Sequence, residues 1–316
     1  MSVSRQTQLA GLLVTSLGAL GFSAKAILVK LAYRHGVDTI TLLALRMLFS
    51  APLFLILLWW ASSREKSSKL GSKDRLVIVA IGLLGYYGAS LFDFLGLQYI
   101  TAALERLVLF LYPTFVVMFS VTFLGQRIRR LEIAGLLASY GGIALVFIND
   151  LNMQQSNVVL GTCWVLLSAL CYAGYLIGSG RLVQRVGSMR FAALSSLVAC
   201  LGVGLHFALT RAPELLIAQP LPVHGLSLLM AVFSTVLPIM LTTEGIRLLG
   251  SSKAAIIGTL GPVVTISLGY VFLDESITTI QILGATLVLA GVLAVGLTRS
   301  QHAKPSAVGE AVVRRV

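Results

Sequence analysis

Apolar residues occur along this chain in ten long stretches that are separated by short polar connections. An α-helix needs about 20 such residues to cross roughly 30 Å of hydrocarbon. The pattern therefore predicts ten transmembrane helices, at residues 9–32, 39–61, 76–99, 102–124, 131–149, 158–180, 188–210, 223–248, 251–273 and 278–298. Because longer polar stretches occur only at 62–75 and after residue 299, we expect one membrane unit without a separate soluble domain.

The second half of the chain repeats the first. Residues 96–146 align with residues 245–295 without a gap, and Pro113 then falls on Pro262. Because five helices is an odd number, the second half must enter the membrane from the opposite side, as in the inverted repeats of secondary transporters. The predicted fold is an all-α membrane protein with ten transmembrane helices as two inverted five-helix repeats, at 1–150 and 151–299. A flexible cytoplasmic tail is expected at 300–316.

Composition supports a membrane protein, and charge gives its orientation. Hydrophobic residues make up 57% of the chain and charged residues 11%, whereas soluble domains typically carry about 25% charged residues. The net charge of +12 would suit a nucleic-acid partner, but most basic residues lie in the alternate connections that share a side with the N-terminus. This positive-inside pattern explains the charge without nucleic acid and places both termini in the cytoplasm.

Stripes of small residues at helical spacing lead up to polar residues in four of the predicted spans. The stripes end at Lys25, Asp93, Tyr175 and Thr242. Small residues let membrane helices approach closely, so packing alone explains the glycines. The polar residues that end the stripes are expected where a packed bundle opens on a cavity.

Five charged residues lie inside predicted spans at a similar depth: Lys25, Arg46, Asp93, Glu105 and Arg106. A charge within a span costs about 2.5–3.5 kcal/mol on insertion scales, so it normally faces a partner or water. Two interpretations remain open: these residues pair with one another and lock the helix ends, or they line a vestibule and contact a polar or anionic substrate. Glu105 and Arg106 cannot face each other on one helix, so each needs a partner elsewhere. Lys30 lies close enough to the predicted surface to snorkel.

Pro113 and Pro262 each remove a backbone hydrogen bond near the middle of a span. Paired interruptions in corresponding segments point to a midplane binding site or hinge, although each proline is also explained as a tolerated kink. The aromatic residues Phe110, Tyr112 and Tyr175 are candidates for stacking on a planar or apolar substrate, and packing is the simpler explanation for them.

The sequence has no phosphate-binding loop, HExxH or GxSxG motif, and no catalytic dyad. The cysteines, Cys163, Cys171 and Cys200, all lie in predicted spans without metal-ligand spacing. The chain is therefore predicted not to be an enzyme, and no cofactor or metal is predicted.

The chain resembles the EamA family of the drug/metabolite transporter superfamily, in segments such as LGLQYITAALERLVLFLYPTF and GIRLLGSSKAAIIGTLGPVV. Its two proline-containing helices end in polar turns, LGQ at 124–126 and LDE at 273–275. Gln126 stands where such proteins commonly have glutamate. The resemblance implies ten transmembrane helices in two inverted halves, a central cavity, and export across the bacterial inner membrane by alternating access. It does not identify the cargo, because relatives carry amino acids, metabolites, drugs, sugar phosphates and nucleotide sugars.

The resulting hypothesis is a secondary transporter that exports small metabolites or amino acids in exchange for protons. Asp93 and Glu105 are the candidate proton carriers, and Pro113 and Pro262 mark the hinge or midplane. The candidate substrate-binding residues are Lys25, Arg46, Arg106, Phe110, Tyr112 and Tyr175. The alternatives are an uncoupled exchanger of anionic metabolites and a non-transporting membrane assembly or sensor protein. The oligomeric state, a homodimer included, and the direction of transport are left open.

Overall fold

The structure, a computed structural model, describes residues 5–64, 70–124, 129–152, 157–249 and 251–300. Gln126 and the predicted tail beyond residue 300 lie outside this part of the chain. All regular elements within it are helical: α1 (Arg5–Tyr33), α2 (Thr39–Arg64), α3 (Ser72–Gly82), α4 (Ala89–Leu97), α5 (Ala102–Leu109), α6 (Tyr112–Leu124), α7 (Arg130–Asn152), α8 (Val158–Val186), α9 (Ser188–Thr210), α10 (Glu214–Ile217), α11 (Leu221–Ala231), α12 (Leu237–Leu249), α13 (Ser251–Gly258), α14 (Gly261–Leu273) and α15 (Thr279–Ser300).

Nine helical segments of the described residues are long and apolar enough to cross a bilayer: Gln8–Tyr33, Thr39–Ser63, Ser72–Leu97, Ala102–Thr122, Arg130–Leu151, Val158–Gly180, Ser188–Thr210, Leu221–Leu249 and Ile256–Leu273. They correspond to the first nine predicted spans. The tenth predicted span corresponds to a shorter apolar helix, Thr279–Val295. The prediction of an all-helical, multi-pass membrane protein is confirmed.

Four of these spans contain irregular backbone. A π-helical turn, Leu83–Gly88, joins α3 to α4, and another, Val232–Val236, joins α11 to α12. The helix is interrupted just before Pro113 and just before Pro262, where two residues separate α5 from α6 and two residues separate α13 from α14. The offset that superposes the two prolines also superposes the two π-helical turns. Irregular backbone therefore occurs at corresponding places in the two halves of the sequence.

Two ends of the bundle are defined by these helices. At the Tyr33 end, α1, α4, α7, α9 and α14 finish, and Arg34 donates a hydrogen bond of 2.7 Å to the carbonyl of Leu273. At the Leu249 end, α1 begins, α12 finishes, and Arg185 pairs with Asp74 at 3.2 Å. The largest cluster of buried apolar residues joins α1, α2, α4, α9 and α11 toward the Tyr33 end.

Helix α7 packs closely on α15 through glycines. A Cβ atom built at Gly135 would lie 2.7 Å from the carbonyl oxygen of Gly291, and one built at Gly284 would lie 2.6 Å from the carbonyl oxygen of Gly142. Real Cβ atoms do not approach backbone oxygens so closely, so these positions need glycine. In the repeat alignment, Gly135 corresponds to Gly284 and Gly142 to Gly291. The two contacts are therefore the same contact with the roles of the halves exchanged.

The same exchange occurs between the helices of the small-residue stripes. Helix α1 packs on α12, where Gly245 lies against Thr15, and α4 packs on α8, where Gly96 lies against Val165. Gly245 corresponds to Gly96 in the repeat, and Thr15 corresponds to Val165. Helix packing thus explains the stripes, as small residues at membrane helix contacts generally do.

Candidate functional site

A cavity of about 590 Å³ lies where the four irregular turns meet. Gly85, Tyr86, Ser234 and Thr235 contribute to its wall from the π-helical turns, and Leu109, Phe110, Gly258 and Thr259 from the proline interruptions. The cavity extends toward the Leu249 end as far as Ile246 and Ala254. At membrane depth, irregular backbone is tolerated where it is buried in protein or lines a cavity. The position of the four irregular turns at the cavity therefore explains why these helices are interrupted inside the membrane.

Lys25 lies between two buried carboxylates at the cavity. Its Nζ donates a hydrogen bond of 2.5 Å to Oδ2 of Asp93 and lies 3.6 Å from Oε1 of Glu105. Glu105 is fully buried, and neither of its oxygens accepts a hydrogen bond from the described residues. Lys25 and Asp93 line the cavity, whereas Glu105 lies behind them. One ammonium group thus neutralises at most one of two neighbouring acids, and Glu105 finds its predicted partner on another helix.

Arg46 and Arg106 line the cavity without an ion pair. Arg46 donates a hydrogen bond of 3.0 Å to Ser90 and lies 4.7 Å from the centre of the Phe94 ring. Arg106, 9% exposed, lies 5.3 Å from the centre of the Phe110 ring. Within the described residues, no carboxylate oxygen lies within 4.0 Å of either guanidinium. The interpretation in which all five charged residues pair with one another is therefore wrong for these two arginines.

Aromatic side chains form much of the apolar wall. Phe110, Tyr112 and Tyr172 line the cavity, and the Tyr112 and Tyr172 rings meet edge to face at 5.1 Å. Tyr175, a predicted substrate contact, lies behind this wall, where its hydroxyl donates to Tyr86 at 3.4 Å. Sequence reasoning missed Tyr172, although its position three residues before Tyr175 places both on one helix face.

Pro113 contributes to the cavity wall, whereas Pro262 does not. The second interruption reaches the cavity through the residues just before its proline. Thr242, which ends the stripe in α12, also lines the cavity, and so do Lys25 and Asp93. Three of the four polar residues that end the stripes are therefore found where the sequence predicts a cavity.

A second cavity, of about 740 Å³, opens at the Tyr33 end. Lys30 lies at this end, as its position near the predicted surface indicates, and its Nζ donates 2.7 Å to the carbonyl of Ile100 and lies 3.3 Å from Oε1 of Glu275. Lys30 and Glu275 both line this outer cavity. The pair joins the first half of the chain to the second. It could not be predicted from the sequence, because the two residues are far apart along the chain.

Asp38 lies outside the spans and also lines the outer cavity. Burial raises the pKa of its carboxyl, but hydrogen bonds from the Thr41 hydroxyl and backbone and from Arg211 outweigh this effect. The pKa of Asp38 therefore lies below its ordinary value. Its contacts with Thr41 and Arg211 tie the start of α2 to the end of α9.

Glu244 and Arg247 form an exposed pair at 2.5 Å, as expected for residues near a membrane surface. Among the described residues, no group of three or more His, Cys, Asp or Glu side chains has a geometry that could hold a metal ion.

The family is shown by two matches along the chain. The model of the EamA-like transporter family matches residues 9–148 and again residues 159–297. The described residues form a multi-pass membrane protein with buried charges at an interior cavity, and this chain belongs to the EamA-like transporter family. The family resemblance inferred from the sequence is confirmed.

Similar proteins carry transporter names. The "Uncharacterized transporter YcbK" of Bacillus subtilis is 32% identical over 280 residues, which is 87% of this chain and 89% of that protein. The "Uncharacterized inner membrane transporter YicL" of Salmonella typhimurium is 25% identical and covers 82% of this chain and 86% of its own length. A solved crystal structure of a protein shares the fold, with a TM-score of 0.63 at 19% identity, over 95% of this chain and 100% of that chain. These names agree with a non-enzymatic role.

Proposed function

We propose that the protein is a secondary transporter of the bacterial inner membrane that exports small metabolites or amino acids by alternating access, in exchange for protons. One observation carries this proposal: buried charges line a cavity at the point where four irregular turns meet. Charged groups at membrane depth commonly mark substrate and ion pathways. A cavity of about 590 Å³ is also in the range of small-molecule sites, roughly 300–1,000 Å³.

The proposed architecture is ten transmembrane helices in two inverted five-helix halves, 1–150 and 151–299. Its support is the double match of the family model, the register of the prolines and π-helical turns, and the shorter apolar helix Thr279–Val295 as the tenth span. The exchanged glycine contacts, such as Gly135 with Gly291 and Gly142 with Gly284, are those expected from a two-fold relation between the halves. Inverted repeats of this kind place the substrate between them.

The substrate is proposed to carry an anionic group on an apolar or aromatic body. Arg46 and Arg106 present guanidinium groups to the cavity without a carboxylate within 4.0 Å in the described chain. An unpaired charge in a low-dielectric site favours a ligand of opposite charge. Phe110 and Tyr112 supply the wall against which the remainder of the substrate packs, and Arg106 is the group proposed to bind its anionic end.

Asp93 and Glu105 are proposed to carry the proton. Together with Lys25 they form a cluster of two acids and one base, so one added proton makes the cluster neutral. Exchange of that proton changes which acid Lys25 pairs with. This change is proposed to couple proton binding to the position of α1 against α4 and α5.

The proposed orientation places the Leu249 end in the cytoplasm, together with both termini. The basic residues in the connections at that end support this orientation through the positive-inside rule. Because the central cavity extends toward the Leu249 end, we assign this structure to an inward-facing form of the proposed alternating cycle.

Flux into proteoliposomes under an imposed pH gradient tests the proposal. Candidate metabolites are found by comparing the metabolite content of cells with and without the protein. We expect the pH gradient to drive uptake by the parent protein, and Asp93→Asn and Glu105→Gln to abolish this drive while counterflow exchange persists. Glu244→Gln, which removes an exposed carboxylate of the same class, is the matched control. Proton-driven flux that survives in both site variants would refute the proton-carrier assignment.

A second candidate is an exchanger of anionic metabolites without proton coupling. The two cavity arginines without a carboxylate partner favour it, because they bind an anion without help from the acids. In this case counterflow is insensitive to a protonophore, and an imposed pH gradient drives no uptake by the parent protein.

A further inference from the structure

The amino end of α5 is held by carboxylates from two other parts of the chain. Oδ2 of Asp150 accepts hydrogen bonds from the backbone N–H and hydroxyl of Thr101, at 3.1 and 2.8 Å. Oε1 of Glu275 accepts a hydrogen bond of 2.9 Å from the backbone N–H of Ala102. The first N–H groups of a helix have no partner within the helix and favour negative charge. Glu275, from the second half of the chain, thus anchors a helix of the first half.

The backbone after α14 aims Glu275 toward α5. Asp274 adopts a left-handed conformation with φ of 60°, and the N–H of Glu275 then donates 3.2 Å to the carbonyl of Gly269. A Cβ atom built at Gly269 would lie 3.0 Å from Oε2 of Glu275, so a small residue makes room for this carboxylate. Asp274 itself points away, with its side chain 89% exposed.

Lys30 completes the junction from α1. Its Nζ contacts both Glu275 and the carbonyl of Ile100, which lies just before α5. The ends of α1 and α14 and the start of α5 are therefore joined by two buried or half-buried charges. Breaking one of these contacts leaves a charge without its partner, which is costly in a partly desolvated site.

Helix α5 separates the outer cavity from the central one. Thr101 lines the outer cavity and Arg106 the central one, and five residues of helix separate them by about 7–8 Å. Glu105 and Arg106 lie one helical turn after Ala102, whose backbone N–H donates the hydrogen bond to Glu275. A shift of α5 at its amino end therefore moves both site residues and changes the barrier between the cavities.

We propose that Glu275 is a positioning residue for transport: with Lys30, it holds α5 so that the Tyr33 end is closed, Arg106 lines the central cavity and Glu105 stays beside Lys25. This inference rests on the proposed transport function. Glu275 touches neither substrate nor proton in this account. It acts through α5, and the Lys30–Glu275 contact breaks when the outer end opens.

The Lys30–Glu275 ion pair has no counterpart in the repeat alignment. In the sequence alignment of the halves, Glu275 corresponds to Gln126 and Lys30 corresponds to Gly180. Gln126 lies outside the described residues, but the identities alone exclude the same ion pair at the Leu249 end. The charged contact therefore favours a resting state that is closed at the Tyr33 end.

Labelling of a single cysteine from each side of the membrane tests this inference. Thr242 lines the central cavity and is half-buried, so Thr242→Cys in a chain with Cys163, Cys171 and Cys200 replaced by serine reports access to that cavity. The probe is a membrane-impermeant maleimide, applied to right-side-out and inside-out vesicles. We expect Glu275→Gln to raise the labelling rate from the outside by about tenfold, as for loss of a charge-assisted contact, and to lower the rate from the inside.

Matched variants separate positioning from a general loss of structure. Lys30→Met should change labelling in the same direction as Glu275→Gln. Asp274→Asn should leave both rates at the parental value, because Asp274 is exposed and asparagine tolerates its left-handed backbone. Parental outside labelling in Glu275→Gln would overturn the inference, and so would equal increases from both sides. The assay needs no substrate or pH gradient, so its outcome is independent of whether the proposed transport is found.

Discussion

The guanidinium of Arg106 lies against Gly261, so that a side chain from the first proline-interrupted span reaches the interruption in the second. A Cβ atom built at Gly261 would lie 2.8 Å from Nη2 of Arg106. Ser23 of α1 donates a hydrogen bond of 3.1 Å to the carbonyl of the same glycine. The site is therefore shared by both halves, and motion of one half against the other must change the surroundings of Arg106.

Arg106→Gln should weaken substrate binding with little effect on folding. Loss of a hydrogen bond to a charged group costs about 1.5–3 kcal/mol, which corresponds to a rise in KM of about 10- to 100-fold. Arg247→Gln is the matched control: it makes the same substitution at an exposed arginine and should leave KM unchanged. Substrate-dependent flux in proteoliposomes measures both, and equal KM values for the parent and Arg106→Gln would contradict the assignment.

Lys25→Met should destabilise the protein strongly, because it leaves Asp93 and Glu105 as neighbouring acids without their ammonium. Removing one partner of a buried ion pair costs about 3–5 kcal/mol. Adding Asp93→Asn and Glu105→Gln to Lys25→Met removes the unpaired charges and should restore most of the loss. Thermal unfolding in detergent measures the series. If the triple variant is less stable than Lys25→Met, the stability lost in Lys25→Met comes from altered packing and not from unpaired charge.

Gly142→Val should destabilise the crossing of α7 and α15, where its carbonyl and Cα face Gly284. Overpacking a close contact costs about 1–3 kcal/mol. Gly141→Val is the matched control, because a Cβ atom at Gly141 meets nothing within 4 Å and the change in helix propensity is the same. Thermal unfolding in detergent should separate the two variants, and similar Tm values would contradict the close contact.

Asp38→Asn should lower stability at neutral pH and lose this effect in acid. The folded-state pKa of Asp38 is below its ordinary value, about 3.9, so its stabilising contribution is complete above that value and is lost as pH falls through the folded pKa. The difference in Tm between the parent and Asp38→Asn should therefore stay constant from about pH 8 to pH 5 and shrink below about pH 4. A difference that grows on acidification would contradict the sign of the shift. Asp274→Asn, in an exposed pair, should show little difference at any pH.

The helical spans could be predicted from the sequence, because the length of an apolar stretch indicates whether a helix can cross a bilayer. The internal sequence repeat could be recognised because Pro113 aligns with Pro262. The residues that line the cavity were found where polar groups interrupt apolar stretches, as with Lys25, Arg46 and Asp93. A charged side chain inside a bilayer is costly, so it is expected to face a cavity or a partner before the tertiary structure is known.

The pairing of these groups could not be predicted in the same way. Whether Lys25 or Arg106 neutralises Glu105 depends on the rotation of α1 and α5 about their axes, and a hydropathy pattern does not define that rotation. The partner of Lys30 was not predicted either, because Glu275 lies in the other half of the chain. Tyr175 was predicted to contact the substrate, but Tyr172 on the same helix is the residue that lines the cavity.

The π-helical turn Leu83–Gly88 changes the angular phase of the third span. A wide turn holds one residue more than an α-helical turn, which rotates everything after it by about 100° relative to a continuous α-helix. Before the turn, Gly82 faces Ser195 of α9, and after it, Gly96 faces Val165 of α8. A single helix therefore serves two neighbours and still directs Asp93 toward Lys25. Removing one residue from the wide turn would straighten the helix and turn that carboxylate away from its ammonium partner.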